Sequence, residues 1–560
     1  MNAHAPAMGS PAPAPERIAS AVASSMPSDL SRSPLLGILG VIIGAGLVTL
    51  TGRMITLGAA DLKGHLGISY DRGSWIGTSF NVALMFIGPF TVYLGGLLGP
   101  RRVLLASAAA FTVICAFLPF IHSYSLLILA LVLAGLASGT FYPLTLTFAL
   151  RNIPLLYLPF TLALYATFVD GAVNIAPSLY GWYRDHLSWH WMFWNSAAIT
   201  PVMMLCIYYG IPAVHRPKRS GPAPSFAGFL YFSAGMAAIF AALDQGERLD
   251  WWRSGLFTAL VVSGAFLVTA SLVRRFRGPN PLVDLPYLRY RNTLLLAVLL
   301  IFFRFGLLST AVLVPESLSI HGFEAAQIGP AVLWTALPQI IIACIAAMLL
   351  LEKFDSRLLM ATGFACMAFA CSLNANFTSA WSAANYYRSE LLMGVGQSFA
   401  FVGLVSTIVL QALFSGGLEK PQWALTFSAF FHVVRLFGGE IGVSFMTYFI
   451  SDREKVHSNL LGLHVQRGTW LSDLSLRQLA LGLFPKSDGL AQSAGRAAVL
   501  MAARIRLQAY TLTINDGYQI IAWACVVAIL LIAVLRRSPL NYGDLTLFQQ
   551  KSAARQEVHA

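Results

Sequence analysis

TFVDGAVNIAPSLYGWYRDHLSWHWMFWNSA, residues 167–197, decides how the rest of the chain is read. It opens inside an apolar run that carries Asp170 and Asn174. It passes Ala176-Pro177 and Gly181, crosses a short polar turn, and re-enters apolar sequence through a Trp-rich entrance. A carboxylate at the centre of a membrane-spanning helix costs about 2.5–3.5 kcal/mol even on insertion scales, so such a residue is a functional candidate by default. Asp170 and Asn174 are four residues apart and share one helix face.

Composition supports the membrane setting. The 560 residues are 57% hydrophobic and 11% charged, with a mean hydropathy of +0.68; soluble domains carry about 25% charged residues. A formal charge of +13 would suggest nucleic acid in a soluble protein. Here the basic residues fall mostly in short loops between apolar segments, so no nucleic-acid partner is expected and the lipid bilayer is. The six cysteines (Cys115, Cys206, Cys344, Cys366, Cys371, Cys525) all lie in apolar segments without metal-ligand spacing and read as small buried hydrophobes. No metal site is expected.

A membrane helix needs about 20 mostly apolar residues. Fourteen candidates meet this: 35–60, 75–98, 103–121, 126–149, 158–182, 190–211, 226–244, 255–273, 293–315, 328–351, 358–374, 388–413, 423–450 and 518–535. An even number puts both termini on one side. Arg101-Arg102, Arg151, Arg216/Lys218/Arg219, Arg274/Arg275/Arg277, Arg289/Arg291, Lys353/Arg357, Lys420 and Arg536-Arg537 alternate with sparsely charged loops. That bias predicts two cytoplasmic termini in a multi-pass inner-membrane protein. Residues 1–33, rich in Pro, Ala and Ser, read as a disordered cytoplasmic tail. The segment 451–517 reads as a long outside loop with amphipathic helical parts, either a cap near the membrane surface or a docking surface for a partner.

No enzyme motif is present: the chain has no phosphate-binding glycine loop, no Cys-x-x-Cys and no His-Glu-x-x-His, so no catalytic residues are expected. Gly394-Val395-Gly396 is a lone pair of glycines that suits close helix packing.

The opening stretch resembles a known family. Ala176-Pro177 with Gly181 is similar to the Gly-Pro-x-x-Gly-Gly element in the fifth helix of major facilitator antiporters. SWHWMFWNSA at 188–197 matches the Trp-x-Trp-x-Phe-x-Asn pattern of the fourteen-helix EmrB/QacA-type drug:proton antiporters. GHLGISYDRGSWIGTSFNVA at 64–83, PNPLVDLPYLRYRN at 279–292 and FFHVVRLFGGEIGVSFMTYFISDREKVHS at 430–458 resemble that branch as well. The resemblance implies an all-α major facilitator fold, with two six-helix bundles rocking about a midplane site and two inserted helices between them. It divides the chain into a tail (1–33), an N-terminal bundle (34–212), two inserted helices (213–278), a C-terminal bundle with the outside loop (279–537) and a second tail (538–560). It implies export of amphipathic small molecules against inward proton flow, with no cofactor besides the proton gradient. A periplasmic adaptor of a tripartite system is an alternative partner, and a specific metabolite importer or exporter an alternative role.

The departures are informative. The family often keeps an acid in its first helix, where this chain has Thr51 with Arg53 nearby. It usually keeps an Arg in its fourth, where this chain has Leu131. The loop after the second segment keeps Gly99 and Arg101-Arg102 but lacks the family's Asp. EKFDSRLL at 352–359 is a better-preserved second copy. The remaining membrane-depth charges should face a cavity or one another. Asp170, Glu390, His432 and Glu440 are candidates for proton coupling, with Asp170 foremost. Arg53, Asn174, Arg304 and Arg435 are candidates for the substrate cavity. Pro177, Gly181, Gly99, Arg101 and Arg102 are candidates for the moving parts. Each has a plainer reading as well: Arg435 and Glu440 as an inter-helix pair or neutralising partner, His432 as a hydrogen-bonded core residue. Trp75, Phe80, Tyr165, Phe168, Trp334 and Phe399 could line an apolar cavity, or simply pack. Three arginines and no first-helix acid favour anionic or neutral substrates, because a positive low-dielectric cavity repels cations.

Overall fold

A computed structural model describes residues 34–154, 156–211, 226–277, 290–352, 354–414, 421–466, 468–486, 489–537 and 541–546. Among these residues there are helices and connections but no strand. This follows from the solvent: inside a bilayer every backbone N–H and C=O must be satisfied within the segment, and a helix does so.

Among the described residues fourteen helices are long and apolar enough to cross a membrane. They are α1 (Pro34–Leu66), α2 (Tyr70–Leu98), α3 (Pro100–Phe117), α4 (Tyr124–Leu150), α5 (Leu158–His186), α6 (Trp191–Gly210), α7 (Phe226–Gln245), α8 (Gly255–Arg277), α9 (Arg291–Ile320), α10 (Ala325–Leu351), α11 (Ser356–Asn374), α12 (Ala383–Phe414), α13 (Pro421–His464) and α14 (Leu490–Val534). Helices α1–α6 pack on one another, as do α9–α14. The two halves meet where α5 lies against α10 and α12, and where α13 lies against α2 and α4. Helix α7 leans on α2 and α13, and α8 packs on α7.

Among the described residues three helices are irregular along their length: α4 breaks between Ser138 and Phe141, and two more do so near the centre. Helix α9 opens into a π turn at Ser309–Leu313, and α10 breaks between Ala336 and Gln339 around Pro338. Irregular backbone at membrane depth survives only where protein or a water-filled cavity covers it. The π turn lies against α5; at the α10 break Gln339 reaches Gly171 of α5, while Pro338 packs toward Gly394 of α12.

The segment expected as an outside loop is largely helix. Helix α13 does not stop at 450 but runs to His464, and α14 begins at Leu490 rather than 518, with a short helix Trp470–Leu483 between them. At 1.5 Å per residue, α13 and α14 are each roughly 66 Å long, against a hydrocarbon core of about 30 Å. Hydropathy finds the part that must be apolar and is blind to a helix that continues into water. Outside the apolar part the two helices are tied by Arg453 and His457 to Asp516 (2.6 and 2.8 Å) and by Arg506 to Glu454 (3.3 Å). The tail 1–33, the basic run Arg216/Lys218/Arg219 and most of 538–560 lie outside the described residues.

Candidate functional site

Asp170 lies midway along α5 and is only 2% exposed. The basic groups whose charge it feels, Arg304 on α9 and Arg435 on α13, both come from the opposite half. Among the described residues no cation reaches it within ion-pair distance, and its Oδ1 has no hydrogen-bond partner. Arg435 is buried; it stacks over the Tyr142 ring of α4 at 4.2 Å and donates to Thr49 Oγ1 of α1 at 3.3 Å. Tyr165, on α5, stands 5.5 Å from Tyr142. His432, one turn before Arg435, has its ring 5.2 Å from that of Tyr142, and neither ring nitrogen has a well-formed hydrogen bond. The Arg435 and Arg304 Nε atoms are likewise buried and unpartnered. The sequence expectation that the charged faces turn inward therefore holds for Asp170, Arg304, Arg435 and His432, which gather around Tyr142.

One turn along α5, Asn174 enters a second polar group. Its Nδ2 donates to Gln397 Oε1 of α12 at 2.8 Å. Gln339 Nε2, the first residue after the α10 break, donates to the same oxygen at 3.0 Å. Gln397 Nε2 then donates to Thr310 Oγ1 in the α9 π turn at 3.2 Å. All four residues are buried. Arg53 completes the ring from α1: its guanidinium donates to the Ala311 carbonyl of that same π turn at 2.5 Å. The π turn thus presents a carbonyl that accepts from a cation of the other half. Π-bulges are frequent at functional sites.

Glu390 sits elsewhere. It is fully buried inside the C-terminal half, accepting from Thr335 (2.7 Å) and Asn374 (3.0 Å). Its helix begins at Ala383, so it lies two turns inside. Glu440 is on α13 but faces α7, where Asp244 lies within hydrogen-bond reach. Of the six aromatic residues weighed for a cavity, Tyr165 belongs to the central group, whereas Phe168 and Trp334 are over a third exposed on the outer surface.

The candidate moving parts are placed at contacts. Pro177 lies within α5, and the next turn presses against α10. A Cβ on Gly181 would stand 2.9 Å from Ala326 Cα, and one on Gly329 would stand 2.6 Å from Ser178 Cα. Only glycine permits that approach. Gly99 adopts φ +89°, which joins α2 to α3 in one residue. Arg101 then donates to the Tyr208 carbonyl at 2.6 Å and covers that ring, while Arg102 is exposed. In the second copy of this loop Asp355 caps α11 and takes the Arg357 fork at 2.8 Å, with Arg537 at 3.5 Å. Burial pushes the Asp355 carboxyl up, but the Arg357 hydrogen bonds and the charges of Arg357 and Arg537 outweigh it and hold the group below its ordinary range. At the two positions where the family's charges are missing, Thr51 bonds Ser196 at 2.7 Å and Leu131 is packed in the core.

The Major Facilitator Superfamily pattern matches residues 41–443. The chain belongs to that superfamily. It is a multi-pass membrane transporter of small molecules, not an enzyme. The fatty acid resistance protein FarB of Neisseria gonorrhoeae is 26% identical over 72% of this chain and 78% of its own length. The multidrug export protein EmrB of Escherichia coli K12 is 25% identical over 81% and 86%, and the colistin resistance protein EmrB of Acinetobacter baumannii 22% over 86% and 92%. These relatives bear out the EmrB-type branch that the 167–197 motifs resemble. The proton:xylose symporter XylE superposes with a TM-score of 0.54 at 13% identity, covering 92% of this chain and 98% of its own. The human organic anion transporter MFSD10 gives 0.51 at 13%, covering 92% and 99%. At that identity the two structures speak for the fold alone.

Sequence reading missed Tyr142, Thr310, Gln339 and Gln397. The signal was present for the two glutamines, since amides in apolar segments seek partners across helices.

Proposed function

We propose that this transporter is a secondary active exporter of amphipathic anionic or neutral small molecules, driven by protons moving inward. The observation that carries the reading is the placement of Asp170 in one half, opposite Arg304 and Arg435 in the other, without a closed ion pair. An ionised Asp170 attracts both arginines and holds the halves together. A proton on Asp170 removes that attraction. An anion that engages the arginines removes it too, by occupying the groups Asp170 would face. The two occupants are alternative ways to free the halves, which is the competition antiport requires. A lipophilic cation would meet two buried guanidiniums first, and the field opposes it. The Asn174–Gln397–Gln339–Thr310 group and Arg53 supply the polar contacts for the uncharged part of the substrate.

The resemblance to exporters in the EmrB branch supports the outward direction, the inner-membrane location with both termini cytoplasmic, and the domain division at 212, 278 and 537. A second reading makes the chain one component of a tripartite system. The helical protrusion on α13 and α14 favours it, as the part that an adaptor protein outside the membrane would meet.

Proteoliposomes with an imposed pH gradient test the reading, using a fatty-acid anion, a neutral amphipath and a lipophilic cation as probes. Gradient-driven accumulation of the first two and weak movement of the third are expected. Transport of every probe at the same rate with and without the gradient would sink the antiport claim.

A further inference from the structure

Helices α2, α7 and α13 form a seam apart from the central group. Along most of its length the seam is apolar, with Met85, Phe240 and Val433 buried and Met236, Leu436 and Phe437 against them. At the end from which the α13–α14 protrusion leaves, it turns polar. There Asp244, on the last turn of α7, and Glu440, on α13, lie within hydrogen-bond reach of each other. Two carboxylates cannot bond each other; one must carry a proton.

The surrounding donors fix which one. Asp244 Oδ2 accepts from the Thr78 hydroxyl of α2 and from Gln245 Nε2 at 3.2 Å. Among the described residues the donor on Glu440 Oε1 is Ser444 Oγ at 3.4 Å, and that hydroxyl is better placed on the Leu243 carbonyl at 2.9 Å. Asp244 is therefore the acceptor and Glu440 the donor. Glu440 is 8% exposed and Asp244 partly buried.

The charged groups on the elements around the pair are engaged elsewhere. On α2, Asp71 pairs with Arg248 at 3.2 Å. Arg248, just beyond α7, also donates to Gln245 at 2.5 Å, and Glu247 beside it is exposed. On α13, Arg435 is taken up by Tyr142 and Thr49, and His432 lies on the Tyr142 side. Arg304 packs beside Gly439 on the face toward α9. Among the described residues no cation forms an ion pair with either acid.

We infer that Asp244 and Glu440 form a carboxyl–carboxylate pair that binds one shared proton and clasps α7 to α13. When the proton leaves, it passes to water at the protrusion end. Two like charges then face each other across the seam, with Thr78 and Gln245 able to serve only one. The seam between the inserted helix and the C-terminal half loosens as a result. Here the inserted helices are a working part of the cycle rather than filler. The site also lies away from the arginine group, so its proton is coupled to an anion through the position of α13 and not through direct charge. That coupling role rests on the antiport reading; the shared proton does not.

Infrared difference spectra of the full-length protein in lipid, recorded across a pH titration, test this without any substrate. The wild type should show one protonated-carboxyl band that is lost in Asp244→Asn and equally in Glu440→Gln, with no further loss in the double variant. Asp170→Asn should leave that band in place. A Thr78→Val variant, which removes a donor to Asp244 but neither acid, should shift its midpoint to higher pH. Independent, additive losses from the two single variants, or no change in Asp244→Asn, would overturn the shared proton. Gradient-independent transport alongside an intact shared band would overturn the antiport reading and leave the pair standing.

Discussion

Asp170 and Glu390 are both carboxyls buried in membrane helices, and their surroundings differ in kind. Asp170 looks across the interface between halves at two guanidiniums and has an oxygen with no donor. Glu390 looks inward, within its own half, at the hydroxyl of Thr335 and the amide of Asn374. The first arrangement changes whenever the halves move; the second moves as one body with its partners. Burial alone thus does not mark a coupling residue. The partner's location does, because a group can report a motion only if its interactions cross the moving boundary.

The strongest way to break this comparison is Asp170→Asn. It leaves Arg304 and Arg435 facing a neutral group, and losing one member of a buried charge set costs about 3–5 kcal/mol. Gradient-driven uptake into inverted vesicles should fall at least about a hundredfold, roughly the smallest change such an energy permits. If the Asn variant keeps its pH-driven rate, Asp170 is structural. Glu390→Gln should retain the wild-type pH profile, with rates within about threefold, because an amide can still accept from Thr335. Glu390→Ala should instead lower thermal stability by about 1–3 kcal/mol, the cost of stranding the Asn374 and Thr335 donors; a shift of the transport pH profile in the Gln variant would erase the distinction between the two acids. A smaller effect is expected from Arg435→Lys. The charge survives, but the planar fork over Tyr142 does not, and cation–π contacts of this kind are worth about 0.5–2 kcal/mol. Apparent affinity for an anionic probe should weaken severalfold in binding titrations, with little change for a neutral one.

The smallest effect extends the contrast to a carboxyl outside the membrane. Asp355 has its acidity strengthened by Arg357 and Arg537. Its stabilising contribution is therefore full above the ordinary Asp value near 4 and is lost as pH falls through its depressed native value. Asp355→Asn should remove that acid limb from a melting-temperature profile at a cost of about 0–1 kcal/mol, since the ion pair is partly exposed. An unchanged acid limb in the variant would assign it to other carboxyls.

The fold was legible because bilayer physics writes it into every span: fourteen apolar runs, basic loops alternating with sparsely charged ones and the 167–197 motifs each demanded the same architecture. The site was legible in part. Asp170, Arg304, Arg435 and His432 stood out as charges at a depth where charge is costly, and the structure gathers them. Tyr142, Thr310, Gln339 and Gln397 did not, because tyrosine, threonine and glutamine are unremarkable residues until a partner across the interface is known. Asp244 was hidden for another reason. It is the last residue of its apolar segment, where an acid reads as a solvated end, and only packing against α13 brings it to Glu440. The helical period of 451–517 was visible in the sequence; what hydropathy did not show is that α13 and α14 run into this segment without a break.

Helices α13 and α14 pass from the core of one half into that protrusion without a break. From His432, beside the central tyrosine, to His464 the helix climbs roughly 48 Å. The protein therefore carries a lever arm rooted beside the central tyrosine, at the site proposed for coupling. A tilt of a few degrees at the root becomes a sweep of several ångströms at the tip, so the far end of the molecule broadcasts which way the transporter is facing.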